Sequence, residues 1–132
     1  MPNLDPVSQA RSKRILIADD SQRVRSGLRE LLSERADWQI CGEAENFPDV
    51  LTKARELRPD LIILDVSMPG GNGFDAARTL HEELPSLHIL ILSQHDPSQL
   101  MAAGRGVGVK VCVDKSRIIP DLMPAMQGLL ES

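Results

Sequence analysis

Aromatic residues are nearly absent from this chain. Its 132 residues include two phenylalanines, one tryptophan and no tyrosine, 2% in all. Any core it builds is therefore aliphatic. It has two cysteines, Cys41 and Cys112, and no C-x-x-C pair. That usage suits a reducing compartment, the cytoplasm, and gives no disulfide framework. No apolar stretch reaches membrane-spanning length, and no signal-peptide apolar region follows Met1. The net charge is −4, with no Lys/Arg stripe or arm, which argues against direct nucleic-acid binding by this chain.

What remains is ordinary for a soluble globular domain: 42% apolar and 26% charged residues, at a length that supports one modest core. Residues 1–12 are polar and aperiodic and are expected to be a disordered lead-in, with one domain over 13–132. From Lys13 onward, short apolar runs alternate with helical patterns. Strands are expected over 14–18, 38–43, 61–65, 87–92 and 109–113.

Helices are expected between and after them. One over 21–35 carries Val24, Leu28, Leu31 and Leu32 on one stripe. Its arginines, 23, 25, 29 and 35, read as a solvated face. A second over 48–58 carries Val50, Leu51, Ala54 and Leu57 and is stopped by Pro59. A third over 74–84 carries Phe74, Ala77, Leu80 and Leu84. A fourth, over 97–107, contains Gly104 and Gly106; each mid-helix glycine costs about 1 kcal/mol relative to alanine, so this helix is expected to be short or loose. The last, over 120–131, offers Leu122, Met126 and Leu129. Its Pro124 is compatible only with a start near Pro120.

Five βα units without a hairpin signal imply a parallel sheet covered on both faces. With right-handed crossovers, the flavodoxin-like (βα)5 order 2-1-3-4-5 sets the first and third strands side by side. Asp19 and Asp20 end the first strand, Asp65 ends the third, Ser93 the fourth, and Lys115 follows the fifth. Three carboxylates and an ammonium at strand ends suit a divalent cation and a phosphoryl group. Singly, Asp19 or Ser21 reads as a helix cap, Ser93 as a strand-end hydroxyl and Lys115 as a solvated cation. Four such features in register are not explained that way. Cys41 and Cys112 fall on opposite edges of this sheet, too far apart to bridge, and each reads as a small buried apolar group.

The succession Asp19-Asp20, Asp65-Val66-Ser67-Met68-Pro69-Gly70, Ser93 and Lys115 resembles the receiver domain of two-component response regulators over nearly all of 13–131. The residues Ser93-Gln94-His95-Asp96 and Ser116 lean toward its NarL/FixJ-like branch. The resemblance implies Mg²⁺-dependent phosphotransfer to Asp65 from a sensor histidine kinase or phosphotransfer protein, in control of transcription. By resemblance, Asp20, Asp65 and the Ser67 backbone carbonyl bind Mg²⁺, with Asp19 acting through water. Lys115 and Ser93 bind the phosphoryl oxygens, and Ser67 and His95 tune the lifetime of the acyl phosphate. His81 and His88 read as structural. A homodimer and a C-terminal output domain outside this chain are further expected partners. Whether the chain is a single-domain regulator or the receiver part of a longer protein is left open. Beyond its own phosphotransfer and dephosphorylation, no enzymatic activity is implied.

Two positions depart from the family pattern. Cys112 stands where receivers commonly carry Tyr or Phe, and Gln94 where alanine or glycine is frequent. A switch through ordering of the 97–107 helix, rather than an aromatic rotamer, is the expectation. A haloacid-dehalogenase-type phosphatase would need D-x-D, but the chain has Asp65-Val66-Ser67. A phosphorylation-independent interaction module is the other alternative; the retained Asp20, Asp65 and Lys115 argue against it. Nucleotide motifs are absent: there is no G-x-x-x-x-G-K-[ST], and the glycines at 104–108 precede a strand.

Overall fold

A computed structural model describes residues 12–94 and 105–131. Residues 1–11 of the expected lead-in, most of the expected fourth helix and His95 lie outside the described residues. The strands are β1 (Lys13–Ala18), β2 (Trp38–Ala44), β3 (Leu61–Asp65), β4 (His88–Ser93) and β5 (Val109–Asp114). They form one parallel sheet in the order β2-β1-β3-β4-β5. The flavodoxin-like order is therefore the observed one. Helices α1 (Gln22–Leu32), α2 (Phe47–Leu57), α3 (Gly73–Glu83) and α4 (Ile118–Leu130) cover it.

Helices cover both faces, so β3 is buried end to end and β1 and β4 are buried beyond their first one or two residues. Ile15, Ile17, Ile63, Leu90 and Leu92 pack with Leu28 and Leu32 of α1 and Leu122 and Met126 of α4. Leu16, Ile62, Leu64 and Ile91 pack with Val50 and Ala54 of α2 and Ala77 and Leu80 of α3. Alternate side chains of each strand serve opposite faces, as the pleat requires. Cys41 and Cys112 lie on the two edge strands, as expected. Both are half-buried rather than fully buried, because an edge strand is covered on fewer sides. Val24, Leu31, Leu51, Leu57, Phe74, Leu84 and Leu129 likewise rim the core rather than fill it.

Local chemistry sets the helix ends. Ser21 caps α1 by accepting from the Val24 amide at 3.2 Å, Asn46 caps α2 through the Asp49 amide at 2.8 Å, and Asn72 caps α3 through the Phe74 amide at 2.8 Å. Helix α2 ends with Arg58 in the left-handed region, φ 47°, and Pro59 prevents continuation. Helix α1 stops at Leu32, short of the expected Arg35, and residues 33–35 turn toward β2.

Helix α4 corrects the sequence reading. It starts at Ile118, so Pro120 occupies the first turn and Pro124 lies inside the helix. Both prolines are exposed. The residue whose carbonyl Pro124 leaves without an amide donor, Pro120, is itself exposed, which suits an interior proline there. The described end of the expected fourth helix, Arg105–Val107, is a single 3₁₀ turn.

Candidate functional site

Parallel strands deliver their C-terminal ends to one edge of the sheet, and the crevice there is where doubly wound folds bind ligands. Leu64 is in register with Ala18, so the residues that follow, Asp65 and Asp19, stand side by side. Both are fully buried, whereas Asp20 is exposed. One carboxylate oxygen from each of Asp19, Asp20 and Asp65 lies within 4.8 Å of the other two.

Asp65 is held from two sides. Its Oδ1 accepts from the Ser67 amide at 2.9 Å and from the Ser67 hydroxyl at 2.8 Å. Its Oδ2 accepts from Lys115 Nζ at 3.1 Å. Lys115 opens a 3₁₀ turn, Lys115–Arg117, directly after β5. Its Nζ also lies 2.9 Å from Asp19 Oδ2. Asp19 Oδ1 accepts from the Ser21 amide at 2.8 Å. The Lys115–Asp19 approach is an ion pair by distance but not by hydrogen-bond angle. Buried Asp19 Oδ2 is left without a hydrogen-bond partner.

The charges do not balance: one ammonium faces three carboxylates. Burial pushes the Asp19 carboxyl above its ordinary value, and neighbouring Asp65 adds to the rise against the Ser21 amide and Lys115. Burial alone would lower Lys115, but its contacts with Asp19 and Asp65 outweigh that and hold it above the ordinary lysine value. A hard divalent ion with oxygen ligands meets this arrangement: a buried carboxylate oxygen with an ion-pair contact but no hydrogen bond, an all-oxygen donor set and surplus negative charge.

Ser93 ends β4 and is buried, next in the sheet to Asp114 of β5. Gln94 follows it and is exposed. Cys112, three residues before Lys115, packs against the core on the α2/α3 face; burial pushes its thiol up to about 11. His81 is exposed, and half-buried His88 opens β4, consistent with structural places. The cleft lined by Arg58, Asp60, Glu83 and Leu87 lies at the opposite ends of the strands, away from the carboxylates.

The sequence reading misplaced Arg25. It was assigned to a solvated face, but it is buried and bonded behind the acidic cluster. The signal was present: Arg25 stands three and seven residues before Leu28 and Leu32, on their side of the helix.

The fold and site together define a doubly wound α/β domain with a carboxylate cluster and a lysine gathered at the C-terminal ends of its strands. The response regulator receiver domain family matches residues 15–127, and the chain belongs to that family. It is 33% identical over 116 residues to the response regulator GacA of Pseudomonas viridiflava, covering 80% of this chain and 54% of that protein. It is 31% identical over 114 residues to the transcriptional regulatory protein YxjL of Bacillus subtilis, covering 86% of this chain and 52% of that protein. The chain thus spans about half the length of these relatives. The LuxR-family two-component response regulator of Aurantimonas superposes with a TM-score of 0.85 at 28% identity, over 91% of this chain and 86% of that one. The likeness to a LuxR-family member agrees with the NarL/FixJ-like branch.

Proposed function

We propose that this chain is a phosphorylation-operated switch in two-component signalling, with residues 13–132 as the working unit and Asp65 as the phosphoacceptor. The observation that carries the reading is the geometry at Asp65: Lys115 at 3.1 Å and two further carboxylates at the end of the adjacent strand. An Asp65 carboxylate oxygen attacks the phosphorus of a phosphohistidine on a sensor kinase or phosphotransfer protein. The P–N bond breaks, an acyl phosphate forms, and the electron pair stays on the imidazole, which takes up a proton.

The transferring group spreads negative charge over its equatorial oxygens, so the site must supply positive charge. Asp20, Asp65 and the Ser67 backbone carbonyl would hold Mg²⁺, with Asp19 acting through water. The bound ion supplies charge neutralisation to the phosphoryl oxygens. Lys115 swings from its carboxylate partners to the new phosphoryl oxygens, and Ser93 donates its hydroxyl to them. Ser67 gives up its bond to Asp65, and with His95 it sets how fast water removes the phosphoryl group.

Phosphorylation adds about −1.5 to −2 charge and three acceptor oxygens. The ends of β4 and β5 respond to it, at Gln94 and Cys112, without an aromatic relay. The partners we assign are the kinase or phosphotransfer protein, a second copy of the chain, and an output segment when the chain is part of a longer protein. We assign the chain to the control of transcription, a role supported by its likeness to a transcriptional regulatory protein, and to the cytoplasm. We assign the chain no enzymatic role beyond its own phosphotransfer and autodephosphorylation.

The test is a phosphate-affinity gel with acetyl phosphate, with and without Mg²⁺, beside Asp65→Asn. A Mg²⁺-dependent shift lost in the variant supports the reading. Absence of a shift in the wild type, repeated with a cognate kinase, favours a phosphorylation-independent binding module.

A further inference from the structure

Arg25 is the charged group that α1 turns toward the sheet, and it is only 8% exposed. Each guanidinium nitrogen has a partner. Nε donates to Glu43 Oε1 at 2.9 Å, Nη1 donates to the Asp19 carbonyl at 2.6 Å, and Nη2 lies 3.6 Å from a Glu45 carboxylate oxygen. Glu43 is held in turn by Arg29 Nη1 at 3.2 Å, and its own carbonyl accepts from the Lys53 ammonium. The Asp19 amide donates to the Ala44 carbonyl at 3.0 Å. The tips of β1 and β2 are thus tied by one backbone bond and one arginine fork.

The Nη1 bond falls on the peptide unit that joins Asp19 to Asp20. That unit is planar, so directing its carbonyl also directs the Asp20 amide. Asp20 is the exposed member of the acidic trio, and its aim depends on that backbone. The same bond commits the Asp19 carbonyl to a side chain of α1. Glu43 and Glu45 compensate the guanidinium charge, so Arg25 can stand behind an acidic pocket without opposing a cation in it.

We propose that Arg25 is a positioning residue that sets the Mg²⁺ affinity of the acidic pocket by holding the Asp19–Asp20 peptide, without touching the ion. This rests on the reading of the pocket given above.

The experiment is a Mg²⁺ titration of the ¹⁵N-labelled chain, following the amide shifts at Asp20 and Asp65, with urea midpoints measured separately in the absence of Mg²⁺. Arg25→Met, Arg25→Lys and Glu43→Ala are compared with the wild type and with Asp20→Asn. The Kd for Mg²⁺ rises about tenfold or more in Arg25→Met. Arg25→Lys recovers part of the loss, because an ammonium can reach the Asp19 carbonyl but cannot fork to Glu43 as well. Glu43→Ala, which frees the guanidinium, moves the Kd in the same direction. Should Arg25→Met fail to fold, the other two variants carry the test. Folded variants that bind Mg²⁺ as the wild type does overturn the inference, whatever their urea midpoints. A wild type with no Mg²⁺ response overturns the reading of the pocket itself, and the inference with it.

Discussion

Lys115 and Asp65 are 50 positions apart in sequence, yet Lys115 Nζ donates to Asp65 Oδ2 at 3.1 Å. The same ammonium reaches Asp19 Oδ2, so it neutralises part of two buried carboxylates at once. Lys115→Ala leaves those carboxylates facing each other in the interior. The metal-free protein loses about 3 kcal/mol of stability, the scale for breaking a buried pair from one side. Mg²⁺ recovers much of the loss, since it replaces the missing positive charge. Urea denaturation with and without Mg²⁺ measures both; equal losses in the two conditions count against this account. In the wild type, the stabilisation that raises the Lys115 value is fully present below the ordinary lysine value of 10.5. It is lost as pH climbs through the higher folded value.

His88 titrates in the other direction. Burial lowers its imidazole below the ordinary 6.5, and Lys110 and Lys13 push it further down against Asp60. The unfolded chain therefore binds the proton more readily than the folded one. Stability from this group is complete above the ordinary value and declines as pH falls through 6.5 toward the folded value. His88→Gln flattens that part of the stability profile. Thermal melts from pH 7.5 to pH 5.5 decide it; parallel profiles for the two proteins would rule it out.

Gly73 begins α3 directly against the segment that follows Asp65. A Cβ there would lie 2.8 Å from the Val66 Cα and 2.9 Å from its Cβ. Gly73→Ala costs about 1–3 kcal/mol through overpacking. It also slows phosphoryl uptake, because Val66 and Ser67 are displaced. Gly27 in α1 is the control. Nothing lies within 4 Å of its built Cβ, so Gly27→Ala stabilises by about 0.5–1 kcal/mol. Denaturant midpoints and acetyl-phosphate labelling rates for the two variants give the comparison.

Cys112 is unreactive in the folded state. Its thiol is pushed up to about 11 by burial, from an ordinary 9.0, so at pH 8 its thiolate fraction is about 100-fold lower than that of a free cysteine. Labelling by a disulfide reagent is slow until urea unfolds the chain. Fast labelling of Cys112 in a Cys41→Ala background at pH 8 would refute this. Cys41 sits on the opposite edge strand, and no oxidant links the two within one folded chain.

Much of the architecture was legible because its signals are local. Leu61-Ile62-Ile63-Leu64 reads as a strand buried on both faces, and the structure buries it completely. Ser21 caps α1 for a reason carried within three residues; the caps at Asn46 and Asn72 rest on the same local chemistry but were not read from the sequence. The placement of Asp19, Asp20 and Asp65 together followed from strand order, which the right-handed crossover rule narrows before any contact is known. Pro124 was harder. Its place inside α4 depends on where the helix starts, and on the exposure of Pro120, whose carbonyl it leaves without an amide donor.

Arg25 marks the boundary between the two kinds of knowledge. The sequence by itself determined a strand-helix alternation, an aliphatic core and a row of chemistry-bearing residues at strand ends, because periodicity and end-signals act over a few residues. Only the tertiary structure decided that Arg25 leaves the charged face of α1 and closes on the Asp19 carbonyl, and that Lys115 bridges Asp19 and Asp65, its ammonium being the one cation set against the buried Asp19 Oδ2 among the described residues. Those outcomes depend on groups far apart in the chain being brought within about 3 Å of each other out of water, where the direction of a hydrogen bond and the loss of solvent, neither encoded locally, set which partner each charge takes.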